Sequence, residues 1–112
     1  MLHLMYLFRP TKKSRQDMPA FWQWVTERDW WFYHTLDMAH DRRWYIRTIG
    51  NDVHCLEHYV SFENEAAWGV YRRAVSALSR DPAWERQRGE QDEWWEIIDS
   101  RLLNDAPLKV RE

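Results

Sequence analysis

The stretch RWYIRTIGNDVHCLEHYVSFENEAAW, residues 43–68, decides the fold of this chain. Its first seven residues, 43–49, alternate in polarity and are rich in β-branched and aromatic side chains, which is typical of a strand. The GND triplet at 50–52 is the strongest turn signal in the sequence, and residues 53–62 follow as the partner strand. Asn64 is a suitable helix N-cap. The stretch therefore predicts a β-hairpin that leads directly into a helix.

Two helices and a strand are predicted after the hairpin. Residues 63–81 carry one apolar stripe at helical spacing, with Trp68 and Val75 beside it. The stripe consists of Ala67, Val70, Tyr71, Ala74 and Leu78. Asp81 followed by Pro82 is typical of an N-cap and a first helical residue, so a short helix is expected over 82–93. Residues 94–103 predict the last strand.

The segment before the hairpin predicts one strand and one long helix. In LHLMYLF, 2–8, the even positions form a continuous apolar face, whereas His3, Met5 and Leu7 form a mixed one. A helix is predicted from about residue 15 to 36, with an apolar stripe that Asp29 interrupts. The stripe consists of Met18, Phe21, Trp22, Val25, Phe32, Tyr33 and Leu36. Trp24 and Trp31, seven residues apart, lie on a flank of this helix.

The predicted order, β-α-β-β-α-(α)-β, is that of a ferredoxin-like α+β fold. Such a chain forms a four-stranded antiparallel sheet with its helices on one face. We expect a single domain over residues 1–104, followed by a polar tail over 105–112. If the other sheet face is also apolar, a second copy is its natural cover, because a two-fold interface buries identical patches against each other.

Aromatic content supports a second buried surface. Nine Trp, five Tyr and four Phe carry roughly 3,600 Å² of ring surface at about 200 Å² each. A folded monomer of 13.9 kDa exposes only about 6,700 Å² in total. We therefore expect some rings to line a homodimer interface or a ligand cavity. The alternative is that they simply fill the core.

Charge and cysteine usage exclude several classes of protein. The net charge is −2, with 16 basic and 18 acidic residues and no basic stripe, so no nucleic-acid partner is expected. The apolar N-terminus is too short to span a membrane, and no membrane partner is expected. A single cysteine, Cys55, excludes an internal disulfide and fits a cytoplasmic location. No zinc-type spacing of Cys and His is present, and no metal or other cofactor is predicted.

The residues quoted above carry a resemblance to a known group of proteins. YVSFENEAAW at 59–68, DPAW at 81–84 and RTIGNDVH at 47–54 resemble the NIPSNAP group of the dimeric α+β barrel superfamily, with the antibiotic-biosynthesis monooxygenase group as a neighbour. The likeness covers roughly residues 43–103. Proteins of this fold include cofactor-independent oxygenases, polyketide cyclases, heme-degrading enzymes, dehydratases and members without known activity. The resemblance implies a homodimer with a site between the sheet and the helices.

One departure from these relatives bears on cofactors. The heme-degrading members place a proximal histidine on the helix that follows the third strand. Residues 64–93 of this chain contain no histidine, so heme is not expected. His54 and His58 are four apart in a predicted strand, about 13 Å along it, and cannot share a metal.

Three residues are candidates for catalysis. If Phe62 lies under the following helix, the opposite sheet face holds His3, Glu57 and Tyr59. A histidine near a carboxylate can act as a general base, and a tyrosine hydroxyl can polarise a carbonyl or phenol oxygen. The alternative is that these side chains only form hydrogen bonds across a two-fold interface.

The predicted ligand contacts are Met5, Trp24, Trp31, His34 and Trp44. Together these residues suggest a homodimer that binds a small, flat, hydrophobic aromatic or polyketide-like molecule. Such a protein could catalyse a cofactor-independent oxygenation, cyclisation or proton transfer. The alternative is a non-catalytic interaction module whose aromatic surfaces serve oligomerisation.

Overall fold

A four-stranded antiparallel sheet forms one layer of the protein. The computed structural model describes residues 1–109. The strands are β1 (Leu2–Pro10), β2 (His40–Ile46), β3 (Leu56–Phe62) and β4 (Trp95–Asn104), in the spatial order β2-β3-β1-β4. This is the strand order of a ferredoxin-like fold, so the predicted α+β fold is confirmed.

The helices form the second layer, on one face of the sheet. They are α1 (Lys12–Gln16), α2 (Met18–Tyr33), α3 (Glu65–Leu78) and α4 (Pro82–Gly89), followed by a 3₁₀ turn at Glu90–Glu93. The shortest axis of the chain measures 20 Å, which is the depth of one sheet and one helix layer at about 10 Å each. Within residues 1–109, no helix has the length and apolarity needed to cross a bilayer.

The alternation of side chains along the strands sets the core. The even positions of β1 and β3 face the helices, where Leu4 lies opposite Val60, and Phe62 packs on Tyr71 of α3 with ring centroids 4.9 Å apart. The two faces of β1 and β3 are therefore oriented as the sequence predicted. A consequence is that His58, an even position, is buried under the helices.

The helix predicted from about residue 15 to 36 is present as α2, but its ends are wrong, because a separate helix, α1, precedes it and α2 ends at Tyr33. The Asp17 side chain accepts a hydrogen bond from the Ala20 amide at 3.2 Å and caps α2, which carries Pro19 in its first turn. Proline is tolerated in the first turn of a helix but breaks a helix interior, so α1 must end before it. The two predicted caps are present, since Asn64 caps α3 and Asp81 caps α4.

The hairpin strands are shorter than predicted at the turn. Residues 47–55 form a loop between β2 and β3, whereas the sequence suggested strands up to residue 49 and from residue 53. Gly50, Asp52 and His54 have φ angles of 110°, 57° and 75°, and this left-handed backbone cannot continue a pleated strand. His54 therefore lies outside β3. β2 begins earlier than predicted, at His40, with an irregular register between His40 and Arg43.

The face of the sheet away from the helices has an apolar centre and a charged margin. Met5, Leu7 and Cys55 are buried there, with Tyr59 and Ile98 packed against them. We call this surface the open face. Its margin carries the ion pairs Arg47–Glu57 and Arg101–Asp99.

Candidate functional site

Arg28 is a charged residue in the apolar stripe of α2. It follows Phe21 and Val25 and precedes Phe32 at helical spacing, and all four side chains are buried. Only 5% of Arg28 is exposed. Its Nε donates a hydrogen bond to Gln91 Oε1 at 2.9 Å, and the Gln91 amide is in turn oriented by its bond to the Arg88 carbonyl. α2 and the 3₁₀ turn therefore fix the guanidinium between them.

Aromatic rings surround the Arg28 guanidinium. Its Cζ lies 4.0 Å from the ring centroid of Phe32, 5.3 Å from that of Trp95 and 5.5 Å from that of Tyr33. Cation–π contacts compensate part of the lost hydration. The Nη1 atom, however, is buried and has no hydrogen-bond partner among residues 1–109. An unsatisfied buried donor is costly, more so when it is charged, which makes this atom a candidate contact for a ligand.

Arg28 lines a recess of about 570 Å³ between the sheet and helices α3 and α4. We call it the Arg28 recess. Its walls combine aromatic rings with charged side chains near the opening, and they are formed by Tyr6, Phe8, Arg28, Phe32, Tyr71, Arg72, Val75, Glu85, Arg88, Gly89, Gln91, Asp92, Trp95 and Ile97. Glu85 accepts a hydrogen bond from Arg88 Nε at 2.8 Å, so its charge is already paired. The surface is concave and mixed, since five of its fourteen lining residues are charged and five are Phe, Tyr or Trp.

Two tyrosine hydroxyls add polar groups to the recess. Burial raises the pKa of Tyr71 above its ordinary value, and nearby Tyr33 and Tyr6 raise it further. Burial also raises the pKa of Tyr6, which Arg28 partly offsets. Both hydroxyls therefore stay protonated at neutral pH and can donate hydrogen bonds.

His58 and Tyr33 form a buried hydrogen-bonded pair beside this site. His58 Nδ1 lies 2.9 Å from the Arg43 carbonyl, which only accepts, so Nδ1 carries the proton. Nε2 is then an acceptor, and the Tyr33 hydroxyl donates to it at 2.7 Å. Burial, reinforced by Arg28, lowers the pKa of His58 to about 3. His58 is therefore neutral at physiological pH, and its Nε2 serves as the acceptor that orients the Tyr33 hydroxyl.

The predicted catalytic residues lie on the open face, around a hollow of about 350 Å³ lined by His3, Glu57 and Tyr59. His3 lies opposite Ser61 in the sheet, whereas Glu57 lies opposite Leu7. This register separates the predicted pair by four residues along the strands, about 13 Å. The predicted approach of Glu57 to His3 is therefore wrong, although all three residues share the open face.

His3 and Glu57 have separate partners. His3 bonds Ser61 Oγ at 2.7 Å and Asp105 Oδ1 at 2.6 Å. Asp105, which the sequence assigned to the tail, thus contacts the sheet. Glu57 accepts from the Tyr59 hydroxyl at 2.7 Å and from Arg47 Nε at 3.0 Å, and these two bonds lower the pKa of the Glu57 carboxyl.

The five predicted ligand contacts do not share one cavity. Met5 is buried on the open face. Trp44 lies on the helix side, where it stacks on His58 with centroids 3.6 Å apart. Trp24 and Trp31 line a surface groove together with Trp30, although Trp24 also stacks on Trp94 at 5.4 Å. His34 is exposed and lies against Trp30, with ring centroids 4.6 Å apart.

Sequence reasoning missed Arg28, Tyr71 and His58 as site residues. The spacing of residues 21, 25, 28 and 32 was a usable signal, because it places an arginine on the buried stripe of α2. The break in the stripe was assigned to Asp29 instead. Asp29 lies to one side, where its carboxylate accepts a hydrogen bond from Trp44 Nε1 at 3.0 Å.

No group of three or more His, Cys, Asp or Glu side chains within residues 1–109 is arranged to hold a metal ion. Cys55 is buried and has a free thiol. The polar groups of the Arg28 recess are hydrogen-bond donors and charges of both signs, which suit an organic ligand better than a cation.

Solved structures share this fold. A NIPSNAP domain protein from Burkholderia xenovorans, described as uncharacterized, superposes with a TM-score of 0.69 at 15% identity, over 99% of this chain and 100% of that chain. A protein from Agrobacterium tumefaciens gives a TM-score of 0.68 at 15% identity, covering 96% and 95% of the two chains. HapK from Hahella chejuensis gives 0.57 at 14% identity, covering 100% and 99%. The NIPSNAP-like α+β fold predicted from the sequence is thereby confirmed, and identities this low establish the fold alone.

Sequence comparison adds no assignment, because no protein-family model matches the chain and no curated protein matches it.

Proposed function

We propose that this protein is a cytoplasmic homodimer that binds a small, flat, largely apolar molecule in the Arg28 recess. The observation that carries the proposal is a buried guanidinium with a free Nη1 in a recess walled by aromatic rings. Binding sites for small molecules are mostly apolar and contain a few well-placed polar groups. The volume of 570 Å³ falls within the range of about 300–1,000 Å³ found for such sites.

The enzymatic form of this proposal is a cofactor-independent reaction, such as proton transfer, oxygenation or cyclisation. Arg28 would stabilise negative charge that develops on a bound molecule, because a cation in a poorly hydrated site interacts strongly with such charge. The Tyr71 hydroxyl would donate a hydrogen bond to the same molecule. The Tyr33–His58 pair lies near Arg28 as a neutral hydrogen-bonded unit, which adds no charge to compete with the ligand for the guanidinium.

The open face supports the dimer. Its apolar centre and charged margin match the usual anatomy of protein interfaces. The accessible surface of 7871 Å² also exceeds the roughly 6,700 Å² expected of a folded monomer of this mass. In this arrangement His3, Glu57 and Tyr59 serve the contact between two copies, and catalysis by them is the less favoured of the two sequence-based interpretations.

Ligand titration tests the proposal. Trp95 lines the recess, so tryptophan fluorescence should respond when flat aromatic and polyketide-like molecules bind. Val75→Trp on α3 should fill the recess and weaken binding at least tenfold. Val70→Trp, an exposed position on the same helix, is the matched control and should bind as the wild type does. Absence of any response across a broad panel would contradict the proposal.

The exposure of Trp30 favours a second candidate function, a non-catalytic interaction module. Its side chain is 66% exposed and lies in the groove with Trp24 and Trp31. An isolated ring in solvent needs no explanation, whereas three adjacent rings form a surface suited to association. Trp30→Ala should reduce the assembly size in light scattering if this groove joins copies of the chain.

A further inference from the structure

We infer that the ligand of the Arg28 recess is a singly charged planar acid whose carboxylate pairs with the Arg28 guanidinium. The inference rests on the proposed function and specifies the chemical class of its ligand. Arg28 combines two properties that are rarely found together. It is almost fully buried, and its Nη1 has no hydrogen-bond partner within the described residues.

The protein itself does not neutralise Arg28 with a contact. The polar partner of its Nε is the neutral Gln91 amide. Glu85, on the wall of the recess, is engaged by Arg88. Across the lining residues there are three arginines, Arg28, Arg72 and Arg88, against two acids, Glu85 and Asp92. The recess therefore has an excess of one positive charge.

This balance favours a single negative charge on the ligand. A buried ion pair is favourable only when geometry is good and the charges match, because desolvation is expensive. A carboxylate offers one charge and two oxygens in the plane that a guanidinium fork recognises. A phosphate dianion would leave one charge uncompensated in a poorly hydrated site. A neutral amide would leave Arg28 without a counter-ion.

The rings define the rest of the ligand. Phe8 and Trp95 stack with centroids 3.8 Å apart, and both line the recess with Phe32 and Tyr71. Aromatic side chains pair favourably with other rings in offset-stacked or edge-to-face arrangements, so a lining of this composition favours a planar ring system. The chemical class is thus a flat aromatic acid rather than an aliphatic one.

A matched pair of probes tests this inference. 2-Naphthoate and 2-naphthamide have the same ring system and nearly the same shape, and differ in charge. On the wild-type protein, followed by tryptophan fluorescence and by thermal shift, we expect 2-naphthoate to bind at least tenfold more tightly. Arg28→Met should abolish the preference, and Arg28→Lys should retain part of it, because it keeps the charge without the fork. Arg73→Met, an exposed arginine on α3, is the control and should keep the full preference.

The outcomes separate the inference from the proposed function. Equal binding of both probes to the wild type would overturn the inference and leave the recess as a neutral-ligand site. A preference that survives in Arg28→Met would also overturn it, because another cation would then be responsible. If neither probe nor any other member of the aromatic panel binds, both the inference and the proposed function fail. Should Arg28→Met not fold, the wild-type comparison and Arg28→Lys still decide the matter.

Discussion

Arg28 occupies a position in α2 where the helical spacing of the apolar stripe predicts an aliphatic side chain. The neighbouring stripe residues Phe21 and Val25 are fully packed, and a charge placed among them reduces stability unless it is paired. Proteins keep such residues where function requires them, at some cost in stability. The buried charge of Arg28, which the apolar stripe of α2 does not require, is therefore the best indicator of the site.

Replacement of Arg28 by methionine should stabilise the protein without ligand. Methionine fills a similar volume and removes the unsatisfied Nη1, so we expect the free energy of unfolding to rise by about 1 kcal/mol or more. Urea denaturation with the Arg73→Met control measures the change. A clear loss of stability would show that Arg28 is already well paired in the free protein.

His58 makes stability depend on pH. Its folded pKa of about 3 lies below the ordinary histidine value, so the unfolded chain takes up a proton below about pH 6.5 that the folded protein refuses. The contribution of neutral His58 to the free energy of unfolding is complete above about pH 6.5. It falls by about 1.4 kcal/mol per pH unit as the pH drops from 6.5 towards 3.

His58→Gln should flatten this dependence, because glutamine does not titrate. Urea denaturation between pH 7 and pH 4 measures the slope. His34→Gln, which replaces an exposed histidine at the end of α2, provides the control and should keep the wild-type slope. Parallel curves for wild type and His58→Gln would contradict the assignment.

At the scale of elements, short-range signals placed the caps correctly and the strand ends less well. Asn64 and Asp81 cap their helices through local hydrogen bonds, which depend on residues two or three positions away. The ends of β2 and β3 depend instead on the left-handed backbone of Gly50, Asp52 and His54. The GND triplet predicts a turn but does not show how far the loop extends on either side.

Two glycines should respond oppositely to the same substitution. Gly50 has a φ of 110°, so Gly50→Ala should cost about 1 kcal/mol or more through strain. Gly89 ends α4 with helical backbone, and a Cβ there meets nothing within 4 Å. Gly89→Ala should therefore stabilise by about 0.5–1 kcal/mol. Thermal denaturation of both variants checks the signs, and equal effects would rule out the backbone explanation.

At the scale of the whole molecule, the chain is a two-layer slab whose helices cover one sheet face. Fewer aromatic rings need a second surface than the aromatic content predicted. Four tryptophans pack against one another or against core residues within the single chain, namely Trp24, Trp44, Trp94 and Trp95. The remaining case for a second copy is that Tyr45 and Leu103 of the open face are 48% and 42% exposed in the single chain, around a centre that is itself buried.

Two adjacent leucines test the dimer. Leu102 and Leu103 are 40% and 42% exposed, and their partners Leu4 and His3 place them on opposite faces of β4. Leu103→Arg should weaken association at least tenfold in analytical ultracentrifugation, and Leu102→Arg should not. A wild-type protein that is monomeric at micromolar concentration would exclude the proposed interface.

The sequence by itself determined the order of elements, the caps and the two faces of β1 and β3, because these depend on periodicity and on contacts between near neighbours. The tertiary structure decided the site. It separated His3 from Glu57 through strand register, paired His3 with Asp105, and left the five predicted ligand residues in different places. It also brought Arg28 of α2, Tyr71 of α3 and Trp95 of β4 to one recess. Residues this far apart in the chain meet only when the helices pack on the sheet, and whether a buried charge finds a partner is settled by that packing.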